Sequence, residues 1–302
     1  MRLVVLCPAA TVTGGPEALH QLVDSASRQG LDAVMVYLPG EYHTVPPAYA
    51  HYAIRTISEA EIYPTDVVVL PEVMAPDAPM YAYATTCVWW LSVDNAPPGS
   101  YNKGDLVLAQ SEYAYRALRA QGRDPRFLGD WTDTSVFREQ HLPREDRVVV
   151  NPAKGGFIRD RFAQLCPDIP LVEAKGLDRQ GVAHLFATSK VFVDFGDQPG
   201  RDRMPREAAA SGAVVFVRNA GAARFRQDYT MPEEFFFGVT DGDLVRLGEQ
   251  LREVLRYEAG AHVAQTHYRE HINHEQVIFD RQVASFFQYL KEFVWHSAPA
   301  PM

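Results

Sequence analysis

Short apolar runs alternate along this chain with longer stretches in which apolar residues return at helical spacing. In the first part, residues 3–7, 33–37, 67–70, 87–91 and 106–109 are apolar throughout and predict strands. Residues 17–29 and 112–121 predict helices, closed by Gly30 and Gly122, which tolerate the left-handed backbone common at a helix end. Beyond residue 146 the alternation resumes. There 147–150, 171–173, 191–195, 214–217 and 234–237 predict strands, and 157–165, 179–187, 205–211 and 243–258 predict helices. Uninterrupted apolar runs suit strands covered on both faces, so this order predicts an α/β fold of parallel sheets between helices.

The polar, turn-rich segment 129–146 reads as a linker. It divides a first Rossmann-like domain over 1–128 from a second over 129–274, with a long aromatic helix at about 275–293 in the closing segment 275–302. That helix is expected to cross back to the first domain. Two such sheets are expected to face each other across a cleft, because ligands of open α/β sheets bind at the carboxyl ends of the strands.

The bulk properties narrow the functional classes. A chain of 302 residues holds two domains of about 100–150 residues, each with its own core. A net charge of −9 argues against a broad basic face for duplex nucleic acid, although it leaves room for a local basic groove. Cys7, Cys87 and Cys166 are too few and too far apart for a disulfide framework or a zinc site, which suits a reducing compartment. The apolar start at residues 1–8 is too short for a signal peptide and ends at Pro8, so it reads as a first strand. No run approaches the roughly 20 apolar residues that span a bilayer. The expected location is cytoplasmic, with peripheral contact at the inner face of a membrane left open.

Candidate chemistry concentrates at 191–217: a buried strand, a loop rich in Gly, Asp and Arg, a helix opened by Pro205 and closed by Gly212, and another buried strand. Arg201, Arg203 and Arg206 supply cations for a diphosphate, and Glu207, expected in the first helical turn, supplies an acceptor for ribose hydroxyls. Lys154 follows the strand at 147–150 and is a second diphosphate candidate. Gly14 and Gly15 lie between the first strand and first helix, where a bare backbone lets a ligand approach. The full dinucleotide fingerprint is absent, which disfavours nicotinamide. Asp94 reads as a group orienting an acceptor hydroxyl or acting as a base, and Asn95 as a turn former. His262, His267, His271 and His274 lack the carboxylate of a zinc motif, and Asp241 and Asp243 precede a helix, so both groups read as capping or solvated residues and no metal site is expected.

Three segments resemble the two-domain GT-B glycosyltransferases, particularly family 4. Gly129-Asp-Trp-Thr-Asp-Thr-Ser-Val-Phe137 resembles that family's interdomain G-V-D-T-x-x-F segment, Asn151-Pro-Ala-Lys-Gly-Gly156 its K-G phosphate loop, and Pro205-Arg-Glu-Ala-Ala-Ala-Ser-Gly-Ala-Val-Val215 its donor helix. Gly14-Gly15 and Gln110-Ser-Glu112 fall where the family has a glycine-rich loop and a helix start. The resemblance implies a metal-independent, retaining, hexosyltransferase-like enzyme that moves a sugar from a UDP- or GDP-sugar to a glycan, lipid-linked or other hydroxyl acceptor in surface polysaccharide or lipopolysaccharide assembly. It implies Lys154 at the donor diphosphate, Glu207 at the ribose, and no bound cofactor besides the donor. Pro199 stands where the family's E-x7-E motif has its first glutamate, and the arginine expected before the lysine is missing, a place Arg201 or Arg203 would fill. The alternatives are a phage-type DNA base glycosyltransferase and a non-catalytic GT-B-like module that binds a nucleotide or glycan.

Overall fold

The structure is a computed structural model that describes residues 1–8, 12–39 and 44–297. Residues 9–11 of the predicted glycine loop and 298–302 of the closing segment lie outside the described residues. The chain forms two compact units, one of residues 1–131 with 276–302 and the other of residues 132–275.

The first unit carries six parallel strands: β1 (Leu3–Pro8), β2 (Ala33–Leu38), β3 (Val67–Pro71), β4 (Thr85–Trp90), β5 (Leu106–Ala109) and β6 (Arg126–Phe127). Their order in the sheet is β2-β1-β3-β4-β5-β6. Successive side chains point to opposite faces, so each strand feeds two cores. Leu3, Val5 and Cys7 join Trp89, α1 (Gly14–Arg28) and the later turns of α8 (Thr266–Ser297) through Phe279, Val283 and Leu290. Val4 and Leu6 join Val34, Val68 and Leu70 on the opposite face. Further along that face, Trp90 and Ala109 pack against Ala114 and Leu118 of α2 (Glu112–Ala120).

Helix α1 begins at Gly14, three residues before its predicted start, with Thr13 as its extended N-cap residue. The glycines therefore open the helix rather than forming a free loop. Pro16 and Glu17 suit this first turn, where a missing N–H costs nothing and negative charge is favoured. Tyr49 secures the entry: its hydroxyl accepts from the Thr13 N–H (3.1 Å) and donates to the Thr13 carbonyl (3.2 Å). His20, fully buried, stacks on Tyr49 with ring centroids 4.1 Å apart. Its Nδ1 lies 2.6 Å from the Pro16 carbonyl, which only accepts, so Nδ1 carries the proton and Nε2 accepts from the Tyr37 hydroxyl at 2.7 Å.

Burial pushes the His20 imidazole down to about 4, the Pro16 carbonyl opposing the shift. The unfolded chain then binds more protons than the folded one between about pH 6.5 and 4, so stability falls as pH drops through that window. Urea unfolding is expected to lose about 2–3 kcal/mol over this interval through His20 alone. His20→Gln should flatten the acid limb; an unchanged limb would refute the assignment.

The second unit carries five parallel strands, β7 (Glu145–Val150), β8 (Leu171–Glu173), β9 (Ser189–Asp194), β10 (Val214–Arg218) and β11 (Phe236–Phe237), in the order β11-β10-β9-β7-β8. Helix α3 (Gly156–Leu165) packs with α6 (Asp241–Arg256), and α4 (Arg179–Ala187) with α5 (Arg203–Ala210). The chain leaves β7 for β8 on one side, then passes β7 to reach β9 on the other. Its winding therefore reverses between β7 and β9. In the first sheet the same reversal falls between β1 and β3. Such switch points separate the loops that follow neighbouring strands and open a crevice at their carboxyl ends.

Helix α7 (Glu258–Ala264) precedes α8, which starts at Thr266 rather than near 275. Residues 266–275 of α8 group with the second unit and the rest with the first. No described helix is long and apolar enough to cross a membrane.

Candidate functional site

The switch point of the second sheet brings together the loops after β7 and β9. Asn151 follows β7 directly and folds back on its own loop, its Oδ1 accepting from the Ala153 N–H at 3.0 Å while its Nδ2 donates to Asp194 at 3.2 Å. Asp194, fully buried at the end of β9, also accepts from the Gly196 N–H at 2.9 Å. Burial pushes its carboxyl upward, against the pull of the Gly196 N–H and Asn151. The two loops touch backbone to side chain. A Cβ on Gly155 would stand 2.3 Å from the carbonyl carbon of Phe195, and one on Gly196 would stand 2.4 Å from Cβ of Lys154. Gly155 also holds φ at +66°, so glycine is required there twice over.

Lys154, Arg201, Arg203, Arg206 and Glu207 all lie on these loops or on α5, as the sequence places them, but each cation meets a carboxylate. Lys154 Nζ is bonded by Asp202, with about a third of the lysine side chain exposed (36%). Arg203 meets Glu207 at 2.8 Å, one helical turn away. Arg201 is bonded by Glu275 of α8. Arg206 is wholly buried, and its guanidinium donates to Glu275 at 3.0 Å and to the Arg201 carbonyl at 2.8 Å.

Three expectations change. Arg206 is poorly placed to present its charge to a ligand, because its side chain is almost wholly buried; it frames the loop instead. Helix α5 starts at Arg203, not Pro205, and the proline sits third, where its missing N–H is one of the unpaired donors of a helix start. Glu207 consequently falls just beyond the first turn, with its carboxylate beside Arg203.

Sequence reasoning missed Asp202, Asp194 and Glu275. Asp202 precedes α5, a favoured place for aspartate, but its side chain turns to Lys154 and makes no cap bond to the helix. Burial pushes its carboxyl up to about 6, with Lys154 pulling the other way. Glu275 holds Arg201, Arg206 and the Thr132 N–H (3.0 Å) at once. Neither α3 nor α5 has a side-chain cap bond at its start, and both helices begin at this edge with the positive end of their dipole.

In the first unit, Gly14 and Gly15 open α1 after β1, and the Cβ position of Gly15 lies 3.8 Å from Leu91 at the end of β4. Glu72 follows β3 at the switch point, buried, and accepts from the Leu91 N–H at 2.9 Å. Burial raises its carboxyl to about 7. This group also escaped sequence reading, since Glu72 follows an apolar run without a motif. Asp94 is exposed in the next turn and accepts from the Tyr113 hydroxyl at 2.7 Å. Asn95 is likewise exposed in that turn.

The histidines do not assemble. His274 Nδ1 bonds to the Glu270 carbonyl at 2.7 Å, and His271 is pushed below its ordinary range by burial and by Arg201. Among the described residues no three His, Cys, Asp or Glu side chains group in a way that could hold a metal ion. Asp243 completes a reciprocal capping box with Thr240, which is the N-cap residue of α6, while Asp241 binds Arg161 at 2.8 Å.

No protein-family model matches this chain, and no curated protein sequence matches it. Solved structures do. Sucrose-phosphate synthase from Thermosynechococcus elongatus is similar over 98% of this chain and 100% of its own, with a TM-score of 0.68 and 14% identity. A glycosyltransferase from Rickettsia africae ESF-5 is similar over 97% and 98%, with a TM-score of 0.67 and 14% identity. An alpha-glucosyltransferase in complex with UDP and a mismatched 13-mer DNA is similar over 90% and 94%, with a TM-score of 0.58 and 10% identity. The fold is therefore the GT-B type, built from two Rossmann-like parallel-sheet units.

Proposed function

We propose that this chain is a glycosyltransferase, moving a sugar from a nucleotide-sugar donor to a hydroxyl acceptor. One observation carries the reading: the loops bearing Lys154 and residues 201–207 meet at the switch point between β7 and β9, where the fold's ligands are expected. The likeness to glycosyltransferase structures along almost the whole chain supports it.

In this reading Lys154, Arg201 and Arg203 bind the donor diphosphate, and the uncapped starts of α3 and α5 add N–H groups and positive dipole ends. Charge that builds on the departing nucleoside diphosphate is met by groups already in place, which stabilises the transition state without a metal. Arg206, held by Glu275, keeps the arginine loop in shape. Glu207 accepts from the ribose hydroxyls. In the first unit, Gly14 and Gly15 allow close approach of a ligand, and Asp94 orients the acceptor. The proposed donor is a UDP- or GDP-sugar, the outcome retaining, and the setting cytoplasmic assembly of surface polysaccharide or lipopolysaccharide, on a glycan or lipid-linked acceptor at the inner face of the membrane. A DNA acceptor is the second reading, favoured by the likeness to a structure holding UDP and DNA. The net charge of −9 weighs against it, because DNA affinity rests on lysine and arginine contacts to phosphates.

A thermal-shift series over UDP-, GDP-, ADP-, CMP- and dTDP-sugars tests this. One nucleotide class is expected to stabilise the protein by about 2–3 kcal/mol at a hundredfold excess over Kd. Glu207→Ala should lose that gain, and EDTA should leave it intact. A melting temperature unmoved by every sugar nucleotide would refute the reading, and binding without donor hydrolysis or transfer would indicate a non-catalytic module.

A further inference from the structure

In the proposed donor site each named cation is matched by a carboxylate. Among the described residues named above, Lys154, Arg201, Arg203 and Arg206 stand against Asp194, Asp202, Glu207 and Glu275, four cations to four carboxylates. A diphosphate that entered with every group unchanged would leave the cluster with an uncompensated negative charge, partly buried. Such a charge is costly, and the usual escape is protonation.

The carboxylates differ in what they hold. Glu275 is 3% exposed and grips two guanidiniums and a backbone N–H, so releasing it would break three bonds at once, one of them to the buried Arg206. Asp194 is fully buried and accepts from Gly196 and Asn151. Asp202 alone of the four holds the lysine whose side chain is about a third exposed. The groups that face it are Lys154 from the loop after β7, Asp194 from the end of β9, Arg206 from α5 and Tyr229 from the segment after β10. Lys154 and Arg206 favour its charged form, while Asp194 and burial oppose it.

We propose that Asp202 is an internal stand-in for the donor diphosphate: its carboxylate holds the Lys154 ammonium, yields it to the ligand, and takes up one proton from solvent as it does so. No covalent bond changes, and the proton restores the charge balance. The proposal rests on the donor-site reading and adds to it a linkage between nucleotide affinity and pH. Asp202 sits at about 6 beside its lysine, so a ligand that removes the lysine and adds negative charge moves it further up. Above pH 7 affinity then falls by up to about tenfold per unit, until the bound-state value is reached.

The test is isothermal titration of UDP-glucose, ADP-glucose and GDP-mannose from pH 5.5 to 8.5, in buffers of differing ionisation enthalpy. Wild type is expected to take up about one proton per nucleotide bound near pH 7.5 and to bind more weakly as pH rises. Asp202→Asn keeps the shape and removes the charge; it should bind more tightly than wild type at pH 8 and lose both the slope and the uptake. Binding without proton uptake in wild type, or a variant that keeps the wild-type slope, would overturn the proposal. The wild-type heats decide the matter even if Asp202→Asn does not fold. Should no sugar nucleotide bind at any pH, the donor reading falls, and sodium sulfate, whose charge is constant over this range, takes their place. Sulfate stabilisation that grows on acidification in wild type and is pH-independent in the variant would uphold the stand-in role of Asp202; any other sulfate result would overturn it.

Discussion

Glu275→Ala is expected to cost about 3–5 kcal/mol of stability, the largest loss anticipated for a single side chain in the second unit. The alanine takes the Glu275 carboxylate from Arg206, whose side chain is 1% exposed, and at the same stroke from Arg201 and the Thr132 N–H. Removing a carboxylate from a buried guanidinium is far more damaging than breaking a surface pair, since water cannot take its place. Urea unfolding followed by circular dichroism reads the change. Glu275→Gln, which keeps the shape and one acceptor, should recover part of the loss. Parity between Glu275→Ala and wild type would show that the hub carries little energy.

Gly155→Ala should disable the candidate site through the backbone. The left-handed conformation costs a residue with a Cβ about 1–2 kcal/mol, and the new methyl would meet the Phe195 carbonyl carbon at 2.3 Å, a separation that real contacts do not allow. Something must move, and the parts available are the two loops of the switch point. A total loss of about 2–4 kcal/mol is expected from conformation and displacement together. Nucleotide-induced stabilisation should disappear with it, because Lys154 shifts away from the arginine loop. Gly156→Ala is the control: its Cβ position has nothing nearer than 3.9 Å, so both stability and ligand response should survive. Equal behaviour of the two variants would contradict the close-packing argument.

How far each feature was legible follows from its physics. The buried strands were plain because a parallel strand covered on both faces must be apolar at every position, and the observed β5 (Leu106–Ala109), buried throughout, coincides with the run that predicted it. Helix α4 (Arg179–Ala187) was equally clear, with Asp178 capping the Gly181 N–H at 2.8 Å. Helix starts at unusual residues were harder. The glycine pair hid the first turn of α1, and Pro205 suggested a start where α5 was already two residues old. The two-residue strand β6 (Arg126–Phe127) is exposed and has no apolar run to announce it.

The amino-acid sequence by itself determined the alternation of strands and helices, the positions of the loops that end the buried strands, and the basic residues placed on them. These are local properties, written in periodicity, turn residues and short motifs. Only the tertiary structure decided which carboxylate each cation meets. Arg206 and Glu275 are 69 positions apart and Lys154 and Asp202 are 48 apart, and no local spacing encodes such pairings. They arise because the order of strands in the sheet brings separate loops to one edge, and burial then requires every charge gathered there to find an opposite one.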